Sequence, residues 1–435
     1  MRVLLVVTGG ASKYKDIITR RVPRDIKVDF LEVRDLLFLD PEALRAAIIQ
    51  RAGTDYDYII IPGSYPWSAG LVGANVYKGP EGLGLLAQML ERGDLDLSRD
   101  LSLEKYRSDL VNVIAREALE SLRNYELIPL RPPPVRVLSE VVIKGSENVE
   151  DIASTAKTLA ADGADAVVLS PITAKAEGML KDVLAAVSGM KIALGLDARA
   201  EVLSKFSSDF EVLLSLRPWQ LEDLSWASGK YLVVTVSSND EISLAKSYVE
   251  HLVSEGVRPI LDPVIRPPLV PGLWGSLQRL AAIRELSAPI MIGLSNAVEL
   301  MDADTAGSAA MLTFISAELG ASALLVEEAS FKARGLTAEA RAAADMASLS
   351  LMWLKPPKDV GVSLLNSKLK HGTVKGENFE IRLLDRDKIE VKLGSKTLTL
   401  SCRDRCPPKS LGAADPSLII AVYRACLPWS SRWVC

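Results

Sequence analysis

Five apolar runs in the middle of this 435-residue chain end in polar residues able to do chemistry. They read Gly195-Leu196-Asp197-Ala198, Leu214-Ser215-Leu216-Arg217-Pro218, Leu261-Asp262-Pro263, Gly293-Leu294-Ser295-Asn296 and Val326-Glu327-Glu328. A carboxylate accepts two parallel hydrogen bonds from a ring N–H and an adjacent amino group, the donor pair that a reduced pterin presents. Asp262 suits that contact. A side-chain amide offers one donor and one acceptor to the same ring, which suits Asn296, with Asp197 and Ser215 completing the wall. The catalytic candidates are Asp197, Asn296 and Glu327. Acid or base work falls to Asp197, Asp262, Glu299 or Glu327, because the only histidines are His251, in a helix, and His371, beyond the barrel. Arg217, Arg266, Lys332 and Arg334 could meet a phosphate or other anion, although such residues are more often solvated rim charges. Taken singly, Asp197 and Asp262 equally fit helix caps, and Asn296 fits a left-handed turn. Capping does not explain why all of them end strands on one rim.

Eight short, nearly all-apolar strands carry these residues, over 137–143, 166–169, 191–196, 211–216, 231–236, 258–261, 289–294 and 323–326. Each is followed by a helix-compatible segment, such as 148–161, 243–254, 274–286 and 307–319. Strands apolar on both faces belong to a parallel sheet covered by helices, and eight such units predict an α/β fold, a (β/α)8 TIM barrel over 136–355. An open doubly wound sheet is the alternative. Working residues of such barrels sit at the C-terminal strand ends, where these polar residues fall. Residues 1–130 predict an N-terminal Rossmann-like α/β domain with strands 2–7, 28–33 and 58–61. Its turns Thr8-Gly9-Gly10, Pro62-Gly63-Ser64 and Lys78-Gly79-Pro80-Glu81-Gly82 are rich in glycine, but none forms a full dinucleotide or P-loop fingerprint. Arg131-Pro132-Pro133-Pro134 reads as a stiff linker. Residues 356–435 predict a small β-rich C-terminal region, with strands over 379–384, 389–393 and 397–400.

A net charge of -4, with no basic stripe among aromatics, argues against a nucleic-acid partner. No apolar run reaches the roughly 20 residues of a membrane span, and Met1-Arg2-Val3-Leu4 opens a strand, so a cytoplasmic protein is expected. All four cysteines, Cys402, Cys406, Cys426 and Cys435, lie in the last 35 residues, and the loose Cys402-x3-Cys406 spacing makes a poor metal motif. No metal ligand is assigned. A small-molecule partner is expected, and a homodimer is compatible with the chain.

The segments Asp262-Pro263-Val264-Ile265-Arg266-Pro267 and Gly293-Leu294-Ser295-Asn296 resemble the sixth and seventh units of the pterin-binding family, which holds dihydropteroate synthases and methyltetrahydrofolate:corrinoid methyltransferases. Nearly the full length is similar to archaeal proteins named dihydropteroate synthase-related, including Pro62-Gly63, Lys78-Gly79-Pro80 and the acidic stretch 299–304. The resemblance implies that Asp262 is the main pterin carboxylate and Asp197 the strand-three aspartate. Three departures bear on the reaction. Lys144-Gly145-Ser146 stands where a synthase has an asparagine for magnesium and diphosphate, Ser295-Asn296-Ala297 replaces its Ser-Arg-Lys motif, and Val326-Glu327-Glu328 replaces its strand-eight arginine and histidine. The expectation is therefore a pterin-dependent transferase of dihydropteroate synthase type, in making a folate or tetrahydromethanopterin carrier for one-carbon metabolism, with magnesium as the family's metal. The alternatives are methyl transfer with a corrinoid protein and pterin binding without catalysis.

Overall fold

Valine, isoleucine and leucine fill both faces of the strands, and a parallel sheet under helices hides both faces from water. The computed structural model describes residues 1–53, 55–220, 224–330, 332–364, 379–385, 388–393 and 396–401. Contacts divide the chain into two units, Met1–Asn124 with Ser348–Val362, and Tyr125–Ala347 with Ser363–Cys435.

The first unit holds four parallel strands, β1 (Arg2–Val7), β2 (Lys27–Glu32), β3 (Tyr58–Ile61) and β4 (Val76–Lys78), in the order β2-β1-β3-β4. The sequence pattern predicts the first three. β4 is only three residues long and shows no periodicity of its own. The helix Pro41–Ala52 starts where its residues dictate: the Asp40 carboxylate accepts from the Ala43 amide at 2.8 Å, and proline holds the first helical position.

The second unit contains β5 (Arg136–Ile143), β6 (Ala166–Pro171), β7 (Ala193–Asp197), β8 (Val212–Leu216), β9 (Tyr231–Thr235), β10 (Arg258–Asp262), β11 (Met291–Gly293) and β12 (Ala323–Glu327). They pair in parallel in the order β10-β9-β8-β7-β6-β5-β12-β11, and a bridge from Leu261 to Ile290 joins the two ends. This ring is the TIM barrel, and the open sheet is ruled out. The expected helix after β8 is not formed among the described residues. Two 3-10 turns, Pro218–Gln220 and Ser225–Ala227, stand there instead, and Pro218 at the start of the link supplies no amide to a helix. Alternate strand residues face inward. Leu138, Val168, Leu214, Val233, Ile260, Met291 and Ala323 fill the barrel, while Val141, Leu169, Leu196, Leu213 and Val234 meet the helices. Arg131, beside the three prolines, donates to the carbonyls of Leu286 (2.6 Å) and Ala288 (2.8 Å), which fastens that segment to the barrel.

A three-stranded antiparallel sheet follows, with β13 (Phe379–Asp385), β14 (Lys388–Leu393) and β15 (Lys396–Ser401) in sequential order. His371 and all four cysteines lie outside the described residues. Among the described residues no helix is long and apolar enough to cross a membrane.

One ionic knot sits just before β6. Asp165 accepts from Arg136 Nη1 (3.1 Å), Arg341 Nη1 (2.8 Å) and the Val137 amide (2.8 Å), so one carboxylate ties β5 to the last barrel helix. Arg136 and Asp165 are nearly or largely buried, and deleting one partner strands the other charge. Asp165→Ala is expected to lower the unfolding free energy by about 3–5 kcal/mol, read by urea denaturation. A loss within the surface-pair range of about 1 kcal/mol would show the knot to be peripheral.

Candidate functional site

Counting by twos from the apolar inner residues toward the C-terminal strand ends reaches Glu140, Ser170, Asp197, Thr235, Asp262, Gly293 and Glu327. One rim therefore collects four carboxyl groups. Strand register brings some of them side by side: Glu140 is opposite Glu327, and Asp262 is opposite Thr235. Each of the four has its acidity weakened, and burial is the first cause in every case. Glu140 is pushed up to about 7, with Asp197 and Glu327 adding repulsion and a hydrogen bond with Ser170 opposing. Asp262 is pushed up to about 6. The Val264 amide, Arg217 and Arg279 oppose that rise, and Asp197 adds to it. Asp197 is raised despite a hydrogen bond from the Ser215 amide. Glu327 is raised by burial and by Glu299, against Lys144.

Backbone irregularities aim these groups. The β8–β9 register shifts between Leu213 and Leu216, and both of these leucines pack outward, so the two residues between them bulge. The bulge turns the Ser215 amide, rather than its hydroxyl, to Asp197. After β10, Val264 adopts φ +53°, a strained value for a β-branched residue. Three contacts hold it there. Asp262 Oδ1 accepts from the Val264 amide at 2.8 Å, and the buried Arg279 donates to the carbonyls of Pro263 and Val264, both at 3.0 Å. Neither aspartate caps a helix, since the following helices have Arg199 and Gly272 at their N-caps.

Asn296 lies inside the short helix Ser295–Val298 and is exposed, so it is not a left-handed turn residue. Its amide folds back over Gly293: a Cβ at residue 293 would lie 2.7 Å from Asn296 Nδ2. Ser295 Oγ accepts from the Glu327 amide at 2.7 Å and donates to the Glu327 carbonyl at 3.1 Å, locking this helix to β12.

The cationic candidates scatter. Arg217 is exposed beside Asp262, and Arg266 is exposed with its guanidinium on the Ser237 carbonyl at 3.3 Å. Lys332 donates to the Met301 carbonyl. At the end of β5 the Glu147 carboxylate accepts from the amides of Lys144 (3.1 Å), Gly145 (2.9 Å) and Ser146 (3.1 Å). A turn whose amides converge is a cradle for an anion, and here the chain's own carboxylate fills it. Hydrogen-bond donors and the Lys144 ammonium do not suit magnesium, so the residues after β5 do not fit the metal that the family resemblance implies.

Glu140, Ser170, Arg279 and Glu147 escape the reading of strand ends. Glu140 and Ser170 left a signal, since Ser139-Glu140 interrupts an otherwise apolar strand and Ser170 ends another. Arg279 acts from a helix, at a distance in sequence that no spacing rule reaches.

No protein-family model matches the chain. An uncharacterized protein of Methanocaldococcus jannaschii is 23% identical over 456 residues, covering 90% of this chain and 85% of that one. Structure neighbours include dihydropteroate synthases. One from Yersinia pestis, with a pterine-sulfa conjugate, is 14% identical at a TM-score of 0.41 and covers 52% of this chain and 95% of its own. The enzyme of Thermus thermophilus is 21% identical at 0.40, covering 51% and 96%. One from Coxiella burnetii, in complex with pteroic acid, is 14% identical at 0.41, covering 49% and 92%. The barrel itself rests on its own strand order and register.

Four carboxyls whose proton affinity is raised by burial make stability depend on pH. Glu140 gives up its proton near 4.5 when unfolded and near 7 when folded. Its contribution is thus complete below pH 4.5 and is lost as pH rises through 7. Asp262 and Glu339, the latter also pushed up to about 7 by burial, act in the same sense. The denaturation midpoint should be lower at pH 8 than at pH 5, and Glu140→Gln should recover up to about 3 kcal/mol at pH 8. Parallel pH profiles for the two proteins would contradict this assignment.

Proposed function

We propose that the barrel rim binds a reduced pterin and that the protein is a transferase of dihydropteroate synthase type, working on a folate or tetrahydromethanopterin carrier. One observation carries this reading. Asp262 is an inward, nearly buried carboxylate whose Oδ1 takes the Val264 amide, while no described residue donates to Oδ2. Arg279 fixes the loop beside it. A rigid carboxylate accepting a ring N–H and an amino group is the contact a pterin edge requires. Glu140 and Asp197 belong to the same rim, on β5 and β7, and Asp197 is near enough to Asp262 to act on its charge. Glu140, near neutrality, is matched to moving a proton at pH 7.

A second reading, methyl transfer between a methylated pterin and a corrinoid partner, is favoured by the Glu147-filled turn and by Glu140 beside Glu327. Both oppose the negative charge that builds on a departing diphosphate. The Asn296 amide, stacked on Gly293, would then follow the ring nitrogen as it gains a proton.

Binding of 6-hydroxymethyl-7,8-dihydropterin, followed by calorimetry, should weaken as pH falls below about 6, because the carboxylate is the accepting form. Asp262→Asn should weaken it about 10- to 100-fold at pH 8 and flatten the pH profile. An unchanged affinity would refute the assignment. The two reactions separate in one experiment. Condensation of a pterin methyl diphosphate with an arylamine supports the synthase reading, whereas methylation of cob(I)alamin by a methyltetrahydropterin supports the other. Tight pterin binding with neither product would leave a binding protein.

A further inference from the structure

The first unit carries a crevice that the barrel reading does not use. The chain runs from β1 to β2 on one side and then returns past β1 to β3 on the other. The connections therefore leave β1 and β3 in opposite directions, and such a switch point opens a crevice beyond the carboxyl ends of the strands, where parallel sheets bind ligands. A cavity of about 440 Å³ lies there, bounded by the ends of β1 and β3. That is within the range of small-molecule sites, toward its lower end.

The lining is uneven. Leu37, Leu83, Leu86 and Leu354 make an aliphatic wall, and the turn Thr8-Gly9-Gly10 with Ser64 makes the polar edge. Among the described residues none accepts a hydrogen bond from the Gly9 or Gly10 amide. Gly10 holds φ +83°, which glycine adopts without strain and which tilts successive amides toward one side. The end of β2 brings Glu32 opposite Val7, and its Oε1 lies 3.7 Å from where a Cβ on Gly9 would be. A glycine turn after the first strand and a carboxylate ending the second, some 20 residues on, are the phosphate and ribose contacts of nucleotide-binding sheets.

We propose that this crevice binds a nucleoside monophosphate. The phosphate meets the Gly9 and Gly10 amides, the ribose hydroxyls donate to Glu32, and the ring lies on the aliphatic wall. Charge and size select the ligand. Among the described residues that line the cavity the one charged side chain is Glu81, which disfavours a polyphosphate more than a single phosphate. The turn also lacks the third glycine that close packing over a dinucleotide pyrophosphate requires.

The test is calorimetry on the full chain with adenosine monophosphate, adenosine and inorganic phosphate as probes. Adenosine monophosphate should bind in the micromolar range and at least about tenfold more tightly than adenosine. Glu32→Gln, at an exposed carboxylate, should weaken it about tenfold by losing a charged acceptor. Gly9→Ala should also weaken it, and because the only heavy atom within 4 Å of a β-carbon there is Glu32 Oε1 at 3.7 Å, its melting temperature should match the parent. Asp262→Asn in the barrel should leave this binding intact. Absence of binding up to about 1 mM, equal affinity for adenosine, full affinity in Glu32→Gln, or loss in Asp262→Asn would each overturn the proposal.

Discussion

Alternation along a barrel strand decides what this protein can do. Every second side chain points inward, so seven of the eight strands deliver a residue to the upper rim, and only the bulged β8 breaks the pattern. Below the rim that inner set is aliphatic and packed, with Leu138, Val168, Val233 and Ile260 shut away from water. At the rim the same alternation delivers Glu140, Asp197, Asp262 and Glu327. Their burial follows from the geometry of the strands rather than from any salt bridge, and their raised proton affinity follows from that burial.

Counter-charge is sparse and placed at the two ends of this acidic row. Arg217 and Arg279 favour the ionised form of Asp262, and Lys144 favours that of Glu327, while Glu140 between them has only the Ser170 hydroxyl. Burial still dominates at both places, pushing Asp262 up to about 6 and Glu140 up to about 7. The same arrangement costs stability at neutral pH, as expected where function rather than packing selects the residues.

The barrel was legible because its signal is repetition. Eight apolar runs with intervening amphipathic segments leave little choice of architecture, and observed strand bounds differ from the pattern by one or two residues. Asp197 and Asp262 were legible as polar ends of apolar strands. Glu140 was not, since it is buried within a strand body and becomes a rim residue only once the inward parity of β5 is known. The roles of Ser215 and Arg279 depend on a bulge and on a helix packed beneath a loop, and neither leaves a local mark in sequence. Lys332, a candidate by loop position, is instead held on the Met301 carbonyl.

Gly293 is silent as a chemical group, yet the Asn296 amide rests where any β-carbon on that residue would intrude. The asparagine is thus specified at two positions, three apart, and the quieter one sits in the strand. A sequence that kept the asparagine but carried alanine at 293 would have to turn its amide elsewhere. Whether a related chain retains this polar group's orientation can therefore be judged from a residue that never meets a ligand.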